Sequence, residues 1–379
     1  MKLEPGPGHR ALRDAVREFA QSTVKGHAAD VDRRHRFPHE SLAGAADLDL
    51  LGMLVPAAFG GAELDHLGFT ICIEELAQAC ASTAVIVDVH NSVATEPIVL
   101  YGSDEQKREW LPRLASGEVL GAFALTEPAS GSDASALQTV ARRHGQEWVL
   151  TGRKVFITNI GAAGMYLVFA RTGSEAGAAG VSAFIVPAEA DGVRIGQVFD
   201  KMGLHGSPTG ELVLEEARVP SANLLHAEGR GFAIAMRALD SGRIGISGQA
   251  AGVAGAALAE AVEYTREHEQ FGEPVGSFEA VGFALADMAT RLQAGRQMAY
   301  HAAVLCSSGQ PFTREASMAK LFCTEAAMDI ASDALQLAGG DGYLQDYPFE
   351  RHFRDAKALQ IYEGTNQVQK VVIARQLLG

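Results

Sequence analysis

Four short stretches of this chain carry residues whose types and spacing suit chemistry. Within residues 361–367 (IYEGTNQ), Glu363 precedes Gly364 between two stretches of helical character. A carboxylate there can act as a general base on a bound molecule, and the glycine leaves room for that molecule to lie against it. Taken alone, Glu363 is a surface charge. Residues 124–133 (ALTEPASGSD) make a polar loop at a strand end, whose hydroxyls and backbone N–H groups suit an anion or the edge of a heteroaromatic ring. A plain solvent loop uses the same residues. Phe156-Ile157-Thr158 sets an aromatic ring near a hydroxyl, a pattern that stacks on a flat ligand and donates to its edge; alone it is an ordinary core strand. Residues 336–343 (QLAGGDGY) end a helix in closely spaced glycines, where bare backbone can approach a ligand or simply cap the helix.

The elements that must position these residues change texture twice along the 379-residue chain. Up to about residue 116 the pattern is helical. Leu12, Val16, Phe19 and Val24 recur at helical spacing, residues 69–81 form another apolar-faced segment, and Ser103 with Gln106 is a capping box for a helix that Gly117 closes. From Gly121 to about Phe232 short β-branched and aromatic runs alternate with turns. His144-Gly145 and Thr151-Gly152 read as hairpin turns, so a small antiparallel barrel or sandwich is expected and βαβ units are not. From Ala233 the chain is helical again, and the small residues of 245–261 allow tight helix packing. The expected class is therefore α+β, divided at residues 1–120, 121–232 and 233–379.

Composition narrows the function. A formal net charge of -14 disfavours nucleic acid, and the basic run at 33–36 reads as a helix end. Cys72, Cys80, Cys306 and Cys323 show no paired spacing and are expected as buried, reduced thiols. His90, His205 and His301 lack metal-ligand spacing, so no metal is expected. Residues 1–10 lack an apolar secretory core, and no apolar run is long enough to span a bilayer. A cytoplasmic protein is the expectation.

In their order along the chain, the four stretches closely resemble the acyl-CoA dehydrogenase family over nearly the whole chain. Residues 201–209 and 239–245 look most like its short-chain (butyryl) branch. The resemblance implies an N-terminal helical domain, a middle β-barrel or sandwich domain and a C-terminal four-helix bundle, assembled as a homotetramer with FAD. It implies that Phe123, Leu125, Thr126, Gly131 and Ser132 belong to a flavin loop, with Thr126 near flavin N5, and that Phe156, Ile157 and Thr158 pack on the flavin ring. Gln336, Leu337, Gly339, Gly340, Thr365, Asn366 and Gln367 match further FAD contacts. Ser132, Asp240, Ser241, Gly242, Arg243 and Gly364 match positions that touch an acyl-CoA, and Glu363 matches the catalytic base. An electron-transferring flavoprotein is the implied acceptor. The nearest alternative keeps this chemistry and acts on a carrier-protein-bound acyl or aminoacyl group.

Three positions depart from the family pattern. His268, in the segment with Gln270 and Phe271, stands where an arginine usually meets the FAD pyrophosphate of a neighbouring subunit, and Glu279 replaces a usual glutamine. Weaker FAD retention is the expectation. Glu96 falls in a segment near the floor of the acyl pocket. It is read as turning its carboxylate to water; the sharper alternative is a polar or cationic acyl group.

Overall fold

The computed structural model describes residues 6–173 and 177–379. Residues 1–5, part of the segment read as lacking a secretory core, fall outside it.

The N-terminal part holds seven α-helices: α1 (Pro7–Phe19), α2 (Lys25–Arg34), α3 (His39–Asp47), α4 (His66–Ala79), α5 (Ala81–Val89), α6 (Glu96–Tyr101) and α7 (Asp104–Ala115). The Ser103/Gln106 capping box is present at the start of α7, and Gly117 follows it with φ +74°. The basic run ends α2, and Arg34 and Arg36 reach Asp30. Between α5 and α6 the chain widens into a π-helical turn, His90–Thr95, a distortion often found beside functional sites.

The middle part holds β1 (Gly121–Ala124), β2 (Val140–His144), β3 (Glu147–Thr158), β4 (Met165–Arg171), β5 (Val181–Pro187), β6 (Val193–Val198), β7 (Thr209–Pro220) and β8 (Leu224–Leu225). The sheet runs β6-β7-β3-β2-β4-β5-β8, with β1 also on β4. Most pairings are antiparallel, but β1 and β2 both pair parallel with β4. The centre of the sheet explains the texture of the sequence. Met165, Leu167 and Phe169 of β4 face one core, while Tyr166, Val168 and Ala170 face another. A strand buried on both faces loses polar alternation. The His144-Gly145 hairpin joins β2 to β3. Thr151-Gly152 is not a turn: it lies inside β3 at a register shift, where a Cβ on Gly152 would stand 2.3 Å from Thr139 Oγ1. The glycine serves close approach, not reversal.

The C-terminal part is a bundle of α8 (Gly231–Glu267), α9 (Glu279–Ser307), α10 (Thr313–Gly342), α11 (Phe349–Leu359) and α12 (Asn366–Leu378). Its long helix α8 packs on α4 through small residues. A Cβ on Gly252 would lie 2.3 Å from Glu74 O, and one on Gly248 2.8 Å from Thr70 O. The two helical parts thereby share one core, in which Phe69, Ile73 and Ile86 join Ile246, Val253 and Ile330. All four cysteines are free and buried. No helix among the described residues is long and apolar enough to cross a membrane.

Candidate active site

A cavity of about 610 Å³ opens where the three parts meet. Val89 and Val93 come from the N-terminal helices, Leu125, Thr126 and Phe156–Thr158 from the sheet, and Tyr362–Thr365 from the α11–α12 connection. It therefore gathers two of the four stretches nearly whole, and Gly131 and Ser132 of the polar loop with them.

Local structure explains each wall. The loop after β1 turns tightly: Glu127 and Ser130 exchange backbone hydrogen bonds at 3.0 Å, with Pro128 at the position whose φ it presets. The Glu127 carboxylate pins the turn by accepting from Gln138 N (2.6 Å), Thr139 N (2.9 Å) and Lys154 Nζ (2.7 Å). Val155 N donates to Thr126 O at 2.9 Å, which fixes the loop to β3. A bulge in β3 between Lys154 and Ile157 puts Phe156 at φ +59°, and its side of the strand is open, with Phe156 67% exposed. A bulky residue at positive φ is strained and is retained where the surroundings demand that orientation.

The Glu363 wall is built similarly. Glu363 has φ +50° and Gly364 φ +85°. Lys320 Nζ and Gln369 Nε2 hold Gly364 O at 2.9 and 2.8 Å, and the Thr365 side chain caps α12 by accepting from Val368 N. Asn366 is buried, with Oδ1 accepting from Lys320 and Thr324. Both carboxylate oxygens of Glu363 are covered and have no hydrogen-bond partner. Gly242 of α8 makes room for them, since a Cβ there would stand 2.0 Å from Glu363 Oε2. Burial pushes the Glu363 pKa up, Lys320 and Arg243 offset part of that rise, and the result is about 7. Burial also lowers Lys320, against the pull of Glu363, to about 7.

The remaining site residues of the sequence lie outside the cavity wall. Asp240, Ser241 and Arg243 are buried on α8, where Arg243 Nη1 donates to Asp240 Oδ1 at 2.5 Å. His268, Gln270, Phe271 and Glu279 sit on the α8–α9 connection and the start of α9. His268 stacks on Tyr264, and Phe271 is 95% exposed. Gln336, Leu337, Gly339 and Gly340 end α10, which breaks at Gly339 (φ +57°), and Gln367 is exposed on α12.

Glu96 does not turn to water. It is 4% exposed and paired, with Oε1 3.0 Å from His66 Nε2 and 3.3 Å from Arg237 Nη2. Burial opposes its ionisation, but His66 and Arg237 outweigh that and hold it below the ordinary carboxylate range. The partners come from α4 and α8, so nothing adjacent in sequence announces them. His90 is a satisfied core residue: Nδ1 accepts from Gly121 N and Nε2 lies 2.9 Å from Leu51 O. Sequence reasoning missed Lys154, Lys320 and Asp88. Lys320 and Asp88 are lone charges in apolar stretches and Lys154 follows another charge, Arg153; each gains meaning only with its partner.

A sheet-and-loop wall with open hydroxyls and an exposed ring shares the cavity with Glu363, whose carboxylate is unpartnered, an arrangement that suits a cofactor-dependent oxidoreductase. Three family matches place it: the acyl-CoA dehydrogenase N-terminal domain over residues 6–118, the middle domain over 122–217 and the C-terminal domain over 229–378. The chain belongs to the acyl-CoA dehydrogenase family. It is 47% identical to an acyl-CoA dehydrogenase of Bacillus subtilis, covering 97% of each chain. It is 43% identical to a short-chain specific acyl-CoA dehydrogenase of Clostridium acetobutylicum, again covering 97% of each. The solved butyryl-CoA dehydrogenase of Megasphaera elsdenii superposes with a TM-score of 0.98 at 39% identity, covering 100% of both chains. The protein is an FAD-dependent oxidoreductase that dehydrogenates acyl-CoA.

The residues present fit FAD. Thr126 and Thr158 line the cavity with hydroxyls that make no hydrogen bond among the described residues, and the open Phe156 ring offers a stacking face.

Proposed function

We propose that the substrate is a short-chain acyl-CoA, oxidised to its trans-2-enoyl thioester, with Glu363 as the base that removes the α-proton. One observation carries this reading: Glu363 lines the cavity, and its carboxylate is covered from water and without a hydrogen-bond partner. An acid so placed is a stronger base than one in water. FAD, when bound, supplies the acceptor for the β-hydride. The protein's own part is orientation and electrostatics. The N–H of Glu363 makes no backbone hydrogen bond among the described residues and is free to polarise the thioester carbonyl. Val89, Val93 and Tyr362 exclude water from the acyl chain.

The ring-facing residues are Phe123, Leu125, Thr126, Ser132 and Phe156–Thr158. The segments at His268–Phe271, Glu279 and Gln336–Gly340 lie away from this cavity, as a homotetramer that shares each FAD between subunits requires. An electron-transferring flavoprotein is the proposed acceptor. His268 offers a ring N–H where a planar, bidentate guanidinium would grip phosphate more firmly. His268→Arg is therefore expected to keep more FAD through gel filtration, read from the flavin-to-protein absorbance ratio; equal retention would refute the weakened grip.

The test of the main reading is anaerobic bleaching of the flavin by acyl-CoAs of graded length and polarity. Butyryl-CoA should bleach it fastest. No bleaching with any acyl-CoA, but bleaching with an acyl carrier protein, would move the assignment to a carrier-bound substrate.

A further inference from the structure

A second carboxyl group lies behind Glu363. Asp88, on α5, is fully buried; its Oδ1 accepts from Ser92 Oγ at 2.9 Å, and its Oδ2 has no partner. Two glycines of α8 locate the pair. A Cβ on Gly242 would stand 2.0 Å from Glu363 Oε2, and a Cβ on Gly245 would stand 2.1 Å from Asp88 Oδ1. Positions three apart on a helix share a face, with Cβ atoms about 5–6 Å from each other. The two acids therefore rest on successive rungs of one bare glycine face, in a place that water does not reach.

The charged groups around them are distributed unevenly. Lys320 of α10 and Arg243 of α8 act on Glu363. From the α11 side come Tyr362, whose hydroxyl donates to Gln249, and the buried Asp355. Among the described residues, no lysine, arginine or histidine pairs with Asp88, which has only the Ser92 hydroxyl. Two neighbouring carboxylates in a dry site cannot both ionise cheaply, and the cations decide which of them does.

We propose that Asp88 is a positioning residue that carries a proton beside Glu363, so that the pair bears a single negative charge and that charge stays on the base. This inference rests on the reading of Glu363 as the base. Burial first, then the charge of Glu363, holds the Asp88 carboxyl well above the ordinary range, with Ser92 working against them. A neutral Asp88 spares the developing enolate a second negative neighbour. At alkaline pH its ionisation supplies that neighbour and slows turnover.

The experiment uses the FAD-loaded enzyme and its Asp88→Asn and Asp88→Ser variants. The first is infrared spectroscopy across pH, which needs no substrate. The wild type should show a protonated carboxylic acid band at pH 8, lost in both variants and titrating at least one pH unit lower in Glu363→Gln. The second is the pH profile of kcat/KM with butyryl-CoA. The alkaline fall should disappear in Asp88→Asn, while the acid limb moves by less than half a unit. An ionised Asp88 predicts the reverse and would overturn the proposal: no such band, and an acid limb shifted down by a unit or more once the negative charge is removed. A band without turnover on any acyl-CoA would keep the proton on Asp88 and reject the dehydrogenase reading instead.

Discussion

Two glutamates line the same cavity and have opposite characters. Glu127 accepts from two backbone N–H groups and the buried ammonium of Lys154. Burial disfavours its charge, but Lys154 and these donors outweigh burial and hold it below the ordinary carboxylate range. Glu363 has both oxygens covered and accepts from nothing; burial raises it to about 7. A satisfied carboxylate is a structural pin, while an unsatisfied one keeps its lone pairs for a proton. Their partners set them apart.

The largest expected effect breaks the reactive member. Glu363→Gln preserves shape and removes the base, so the rate of flavin bleaching by butyryl-CoA should fall about 10²–10⁴-fold, with the fold and FAD content kept. The wild type should show the matching pH signature. The base must be ionised to act, so kcat/KM rises as pH increases through about 7. Unchanged bleaching in the variant would place the base elsewhere.

Glu127→Gln breaks the structural member and should act on stability first. It leaves Lys154, already lowered by burial to about 8, without its counter-charge. Removing one partner of a buried pair costs about 3–5 kcal/mol, to be read from urea unfolding of the FAD-loaded protein. The expected pattern is a lower midpoint with residual bleaching far above that of Glu363→Gln. A variant as stable as wild type and as inactive as Glu363→Gln would merge the two roles.

How much of this was legible beforehand follows the same division. The texture of helices, sheet and helices was readable because β4 is apolar on both faces and the small residues of α8 mark close packing. The order of motifs pointed to Glu363. What stayed hidden were pairings across elements: Glu127 with Lys154 through a loop and a bulged strand, Glu96 with His66 and Arg237, and Asp88 with Glu363 over the glycines of α8. Gly152 misled as a turn because close approach to Thr139 and chain reversal both favour glycine.

The smallest effect tests whether Glu363 depends on space as well as on isolation. Gly242→Ala adds one methyl group 2.0 Å from Oε2 and 2.9 Å from Val93 Cγ1, so the carboxylate must swing aside. A displacement near 1 Å costs about 10²-fold in rate. The loss should fall on kcat more than on KM, because the methyl group stands closer to the base, at 2.0 Å, than to Val93 of the cavity wall, at 2.9 Å. The comparison sharpens if the acid limb also moves. A carboxylate pushed from the glycine face toward the cavity gains water, and its pKa should fall from about 7 toward the ordinary range. A loss confined to KM would instead place the new methyl group against the acyl chain and free Glu363 from dependence on α8.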